Sequence, residues 1–166
     1  MKTKNVALGG LMLAMIVVLS IIESFFPPMP FLPPGVKLGL SNIVVMYSVF
    51  FLSKKYAVCL AIFKSIFVFL TRGFLASLFS FSGGLLSIVV IVLFVSIFKD
   101  KVSYITLSIL GAIFHNIGQI IVFSVVMKNV YVMFSYTPIL IISGIIMGTV
   151  TGILLKAIMP VFKKMF

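Results

Sequence analysis

Glu23, Lys37, Asn42, Lys64, Arg72, His115, Asn116 and Gln119 are polar side chains in or beside long apolar runs. Ionisable groups inside apolar spans are costly, so each is a functional candidate. Lys37 and Asn42 follow Pro33-Pro34-Gly35, a loop whose prolines fix φ and restrict their neighbours, so the cation is held in one pose at a membrane boundary. Glu23 is the one carboxylate near that boundary. It either pairs with Lys37 or Arg72 to hold the loop, or contacts a ligand. Lys64 lies in the middle of Ala61-Ile62-Phe63-Lys64-Ser65, far from both ends of its run, and calls for a buried partner or a polar cavity. Gly111, His115 and Gln119 recur every four residues on one helical face, with Asn116 about 100° away. These donors and acceptors are suited either to orienting a polar ligand or to tying helices together. No Cys, Asp or second His accompanies His115, so a metal site is not expected.

Enzyme chemistry finds little support in the same inventory. Asp100 and Glu23 are the only acidic residues, so paired catalytic carboxylates and a Mg²⁺ cage for diphosphates are out of reach. Walker, Gly-x-Ser-x-Gly and HExxH sequences are absent. The candidates therefore describe binding: Lys37, Lys64 and Arg72 to attract an anionic or amphipathic solute, Asn42, His115, Asn116 and Gln119 to orient it, and Glu23 to position the loop.

The elements that must carry them are membrane helices. Of 166 residues 63% are apolar and 9% charged, against about a quarter charged in a soluble domain. The expected fold is an all-α integral membrane protein, one domain over 1–166, with six spans near 6–26, 36–53, 56–70, 74–98, 104–127 and 135–159. The second and third are short for a span of about 20 residues, meeting in a hairpin at Lys54-Lys55, so four spans are the alternative. The first run has no small-residue cleavage site and counts as a helix, not a signal peptide. With the N-terminus inside, Lys2, Lys4, Lys54, Lys55, Lys99, Lys101, Lys156, Lys163 and Lys164 fall on the cytoplasmic side. Only Lys37, Arg72 and Lys128 fall outside, so both termini are expected to be cytoplasmic. The net charge of +11 comes from such scattered breaks, so nucleic acid is not an expected partner. Cys59 is expected in a core, and Tyr56, Tyr104, Tyr131 and Tyr136 at the interfaces that tryptophan, absent here, often occupies.

Small residues mark three faces. Ala7, Gly10 and Ala14 in the first helix allow close helix approach, either within the bundle or to a partner helix. In the fourth run Ser77, Ser80, Gly84 and Ser87, beside Gly83, either pack tightly or line a cavity. Gly144, Gly148 and Gly152 form a close-packing ridge in the sixth.

Three stretches carry a family resemblance: Pro34-Gly35-Val36-Lys37-Leu38-Gly39-Leu40-Ser41-Asn42-Ile43-Val44, Phe81-Ser82-Gly83-Gly84-Leu85-Leu86-Ser87 and Gly111-Ala112-Ile113-Phe114-His115-Asn116-Ile117-Gly118-Gln119, with Ile22-Glu23-Ser24 ahead of them. In this order they resemble the Gx transporter family, often labelled heptaprenyl diphosphate synthase component I and similar to S components of energy-coupling factor (ECF) transporters. The resemblance implies a six-helix S-component bundle in a bacterial cytoplasmic membrane. It also implies solute capture under the first outer loop and work with a coupling protein and two ATPases, the coupling protein being met by the small face of helix one. Lys37, Asn42, His115, Asn116, Gln119 and Glu23 stand at its motif positions. It implies a flavin, quinone or isoprenoid setting for the ligand, with no intrinsic cofactor. The alternatives it leaves are a membrane partner in flavin- and menaquinone-linked extracellular electron transfer that docks an extracytoplasmic protein, or an accessory subunit of prenyl diphosphate synthesis. Prenyl synthases rely on aspartate-rich motifs, and this chain has one aspartate.

Overall fold

The computed structural model describes residues 2–25, 39–98 and 102–165. They form α1 (Lys2–Ser24), α2 (Leu40–Phe51), α3 (Lys54–Arg72), α4 (Phe74–Phe98), α5 (Tyr104–Val126) and α6 (Val130–Met165). Four helices carry stretches long and apolar enough to cross a membrane: Val6–Ser24, Phe74–Phe98, Tyr104–Val126 and Val130–Ala157. The 12-residue α2 is about 18 Å long and falls short of the roughly 30 Å hydrocarbon core.

Helix boundaries depart from the apolar runs for local reasons. Lys54 and Lys55 are not a hairpin turn but the first residues of α3. Ser53 adopts an extended conformation ahead of them and accepts from the Tyr56 N–H, so the turn is Leu52-Ser53. Helix α3 also continues to Arg72, and α6 outruns its apolar stretch at both ends with Pro138 and Pro160 inside it. Hydropathy reports the length that lipid would cover, whereas backbone hydrogen bonding carries a helix past it. At the start of the second run, Val36 to Leu38 lie outside the described residues, and the helix begins at Leu40. Gly73 alone joins α3 to α4 with φ 88° and ψ 179°, a conformation open essentially to glycine.

Neighbouring contacts fix the directions. Ser77 donates to the Ser65 carbonyl across α3 and α4. Gly111 faces Ile91 while Gly118 faces Ser82, and Gly144, Gly148 and Gly152 face Ile113, Ile109 and Ile105 in turn. Hence α1, α3 and α5 run one way and α2, α4 and α6 the other. The sixth-helix ridge packs as its spacing requires: Cβ atoms on Gly144, Gly148 and Gly152 would come within 3.0, 2.5 and 2.8 Å of α5 Cα atoms.

The shortest helix is the hub. Among the described residues α2 approaches α1, α3, α4, α5 and α6, while α1 otherwise approaches only α3, and α6 only α5. Ser41 and Ile43 to Ser48 are all buried, so this stretch of α2 has no lipid face. The other five helices surround it and expose apolar residues such as Ile66, Leu93, Val125 and Ile146, which is the surface of a membrane protein. Cys59 is on that surface and not in a core.

Helix α1 turns Met12, Ile16, Ser20 and Glu23 inward. Its small face points away: Ala7, Gly10 and Ala14 are exposed, and a Cβ on Gly10 would meet nothing within 4 Å. Among the described residues nothing in the bundle packs on that face at Gly10.

Candidate functional site

The start of the hub helix, Gly39 to Asn42, faces an open space. It is a cavity of about 340 Å³ to which all six helices contribute. Asn42, Lys64, Arg72, His115, Asn116, Gln119 and Glu23 all line it. Lys37 lies outside the described residues.

Glu23 closes α1 onto the start of α2. Its carboxylate accepts from the Gly39 N–H and, at 3.5 Å, from the Ser41 hydroxyl. This is a capping interaction supplied by another helix: the first N–H groups of α2 lack intrahelical partners, and a negative group there suits the helix dipole. Gly39 takes φ 76° to make the approach, a left-handed conformation that favours glycine. Lys64 reaches from α3 to donate to the Asn42 side-chain oxygen. Arg72, at the end of α3, is exposed and donates to the Ser20 carbonyl at 3.5 Å. Both cations thus reach the cavity, while its one described carboxylate is engaged by the backbone of α2.

The α5 residues divide their roles. Asn116 donates to the Leu140 carbonyl at 3.0 Å and the Ser143 hydroxyl at 3.3 Å, which makes it a tie between α5 and α6. His115 is buried and lies against Gly83, where a Cβ would come within 2.9 Å of its ring. Gln119 is half-buried at the wall. The α4 face of small residues does both things open to it: Gly83 packs on α5, while Ser80 lines the cavity.

A second lobe of about 40 Å³ continues past Lys64 toward the middle of the bundle. Gly39, Asn42, Lys64, Ser80 and Ala112 line both lobes, so the Lys64–Asn42 pair stands at the neck. Ser87, Ser108 and Thr151 line the deeper lobe, with Ser108 and Thr151 hydrogen-bonded to each other at 2.8 Å. Among the described residues no group of three His, Cys, Asp or Glu is placed to hold a metal ion.

Several wall residues have little sequence signal. Ser20, Ser41 and Ser143 contribute polar atoms, and Val68, Leu75, Phe79 and Met147 contribute apolar surface. Ser20 was findable from Glu23 three residues on, since the two share a helical face. The apolar group looks like any other part of a membrane helix.

The family model described as heptaprenyl diphosphate synthase component I matches residues 12–158. The chain belongs to that family. Among solved structures, it is similar to one reported as "Structure and mechanism of the S component of a bacterial ECF transporter", with a TM-score of 0.75 and 23% identity. That match covers 99% of this chain and 98% of the other, so the whole bundle shares its fold. No curated protein matches the chain. The four long apolar helices and this fold make the family member a multi-pass membrane protein.

Proposed function

We propose that the protein is the substrate-binding subunit of an ECF-type transporter, not an enzyme, and that it takes a small anionic or amphipathic solute from the outer side. The supporting observation is the cavity beyond α2, where Lys64 and Arg72 converge with Asn42, His115 and Gln119 while Glu23 is held by α2. An anion there would meet two cations, the exposed Arg72 and the half-buried Lys64, and partial shielding from water around Lys64 strengthens its charge interaction. Asn42 and Gln119 would orient it, and Asn116 would act mainly by holding α5 to α6.

In this proposal all six helices are embedded with both termini cytoplasmic. Lys54, Lys55 and Lys156 lie at the end of the bundle away from the cavity, and an excess of lysine marks the inner face. The cavity then faces outward. The exposed Ala7, Gly10 and Ala14 face of α1 would meet a membrane-embedded coupling protein, which in turn would engage ATPases.

Gentle purification from the native membrane followed by native mass spectrometry tests the proposal. A small molecule retained by the wild-type protein and lost from Lys64→Gln, together with coupling proteins, is the expected result. The family description favours one other reading, an accessory subunit of prenyl diphosphate synthesis. Co-purification of a soluble synthase, with product formed only by the mixture, would replace the transporter proposal.

A further inference from the structure

Hydroxyl groups in apolar helices normally return their hydrogen bond to a carbonyl one turn earlier. Here Ser48, Ser65, Ser96, Ser124, Ser135, Thr137, Thr149 and Thr151 do so. Ser24, Thr71, Ser82 and Ser143 also bond back to their own helices, while Ser53 and Ser103 cap helices and Ser77, Ser41 and Ser108 bond across to the Ser65 carbonyl, Glu23 and Thr151. Among side chains described, three serines make no hydrogen bond: Ser20, Ser80 and Ser87. They are 3%, 9% and 9% exposed; the Ser20 hydroxyl is fully enclosed, while Ser80 and Ser87 line the cavity itself.

All three line the two-lobed cavity. Ser20 is on the wall of the large lobe, Ser80 is at the neck, and Ser87 is in the deep lobe. A buried hydroxyl without a partner costs about 1–3 kcal/mol, and a helical serine can avoid that by turning back onto its own helix. Ser80 and Ser87 forgo this along a single face of α4, two turns apart. The deep lobe, at about 40 Å³, has room for one hydroxymethyl-sized group or a few waters.

We infer that the unpartnered hydroxyls of Ser20, Ser80 and Ser87 form a recognition track for a solute that carries several hydroxyl groups besides its acidic group. The acid occupies the large lobe beside Lys64 and Arg72, and a hydroxylated chain passes the neck to end at Ser87. This rests on the proposed binding role of the cavity and narrows its substrate class to hydroxylated acids, away from purely hydrocarbon-tailed ones. An apolar tail directed into the deep lobe would leave Ser80 and Ser87 unpaired, and sites built to hydrogen-bond a hydroxyl discriminate strongly against analogues that lack it.

Ribitol 5-phosphate and n-pentyl phosphate share charge and carbon number and differ in their hydroxyls. Their binding to the purified full-length protein is compared by calorimetry, in the wild type, Ser80→Ala, Ser87→Ala and Lys64→Gln, each checked for monodispersity by size-exclusion chromatography. Ribitol phosphate is expected to bind at least about tenfold more tightly than pentyl phosphate. That ratio should fall toward one in Ser80→Ala and Ser87→Ala, while Lys64→Gln weakens both compounds together. Equal binding of the two, or a ratio that survives both serine substitutions, means that water fills the deep lobe and overturns the hydroxyl track while leaving the anion site standing. If neither phosphate binds the wild type, both the track and the anion site fail.

Discussion

Lys64 and Asn116 share one sequence feature, a polar side chain where lipid-soluble residues are expected, yet the structure gives them different work. Lys64 makes one hydrogen bond, to Asn42, and lines both lobes. Glutamine there can still donate to Asn42 but carries no charge. Lys64→Gln is therefore expected to fold normally by size-exclusion and thermal unfolding, and to lose anion binding by tenfold or more, since one charge-assisted bond contributes about 1.5–3 kcal/mol. Asn116 instead spends its amide protons on α6. Asn116→Ala should lower thermal stability by roughly 0.6–2 kcal/mol, the range for interhelical hydrogen bonds in membranes. The polar wall was largely legible in the sequence, because Asn42, Lys64, His115 and Gln119 are anomalous in apolar runs, Arg72 is a cation in the break beside one, and all reach one cavity. Ser20, Ser80 and Ser87 were not legible as a set. A helical serine can satisfy itself, and only helix rotation and side-chain torsion reveal that these three do not.

At the scale of elements, glycine spacing says that a close approach is possible but not that it occurs. Gly148 and Gly10 both belong to small-residue patterns. A Cβ on Gly148 would fall 2.5 Å from the Ile109 Cα, whereas one on Gly10 would meet nothing. Gly148→Val should force α5 and α6 apart, costing about 1–3 kcal/mol or more and lowering the unfolding temperature. Gly10→Val should leave that temperature unchanged in the isolated protein. If the α1 face meets a coupling protein, Gly10→Val will lose that partner in a pull-down while retaining solute, a combination that general instability cannot produce. The paired result separates an internal ridge from an external one. Helix positions were legible from hydropathy alone, while the start of α3 was set by Ser53 and the length of α6 by backbone bonding beyond its apolar stretch.

For the whole molecule, the short α2 borders the cavity and, among the described residues, is the one helix that approaches all five others. Every other helix packs against α2, but among the described residues α1 makes no backbone approach to α4, α5 or α6. The N-terminus of α2 is pinned from two directions, by Glu23 on α1 and by Lys64 on α3 through Asn42. A bound anion that draws Lys64 from Asn42 would release one pin and leave the other. Removing Glu23 should mimic the release of the second. In Glu23→Ala the Gly39 N–H loses its acceptor and the dipole of α2 loses its counter-charge, about 1–3 kcal/mol in all. That loss should be local, because the α5–α6 ridge and the Ser108–Thr151 bond are untouched. Hydrogen exchange by mass spectrometry is expected to show faster exchange across Gly39 to Val45 in Glu23→Ala, with α5 and α6 as protected as in the wild type. Glu23→Gln, which keeps an acceptor but not the charge, should fall between the two. Uniformly faster exchange through all six helices would instead mean that Glu23 holds the entire bundle, and α2 would then not move as a separate element.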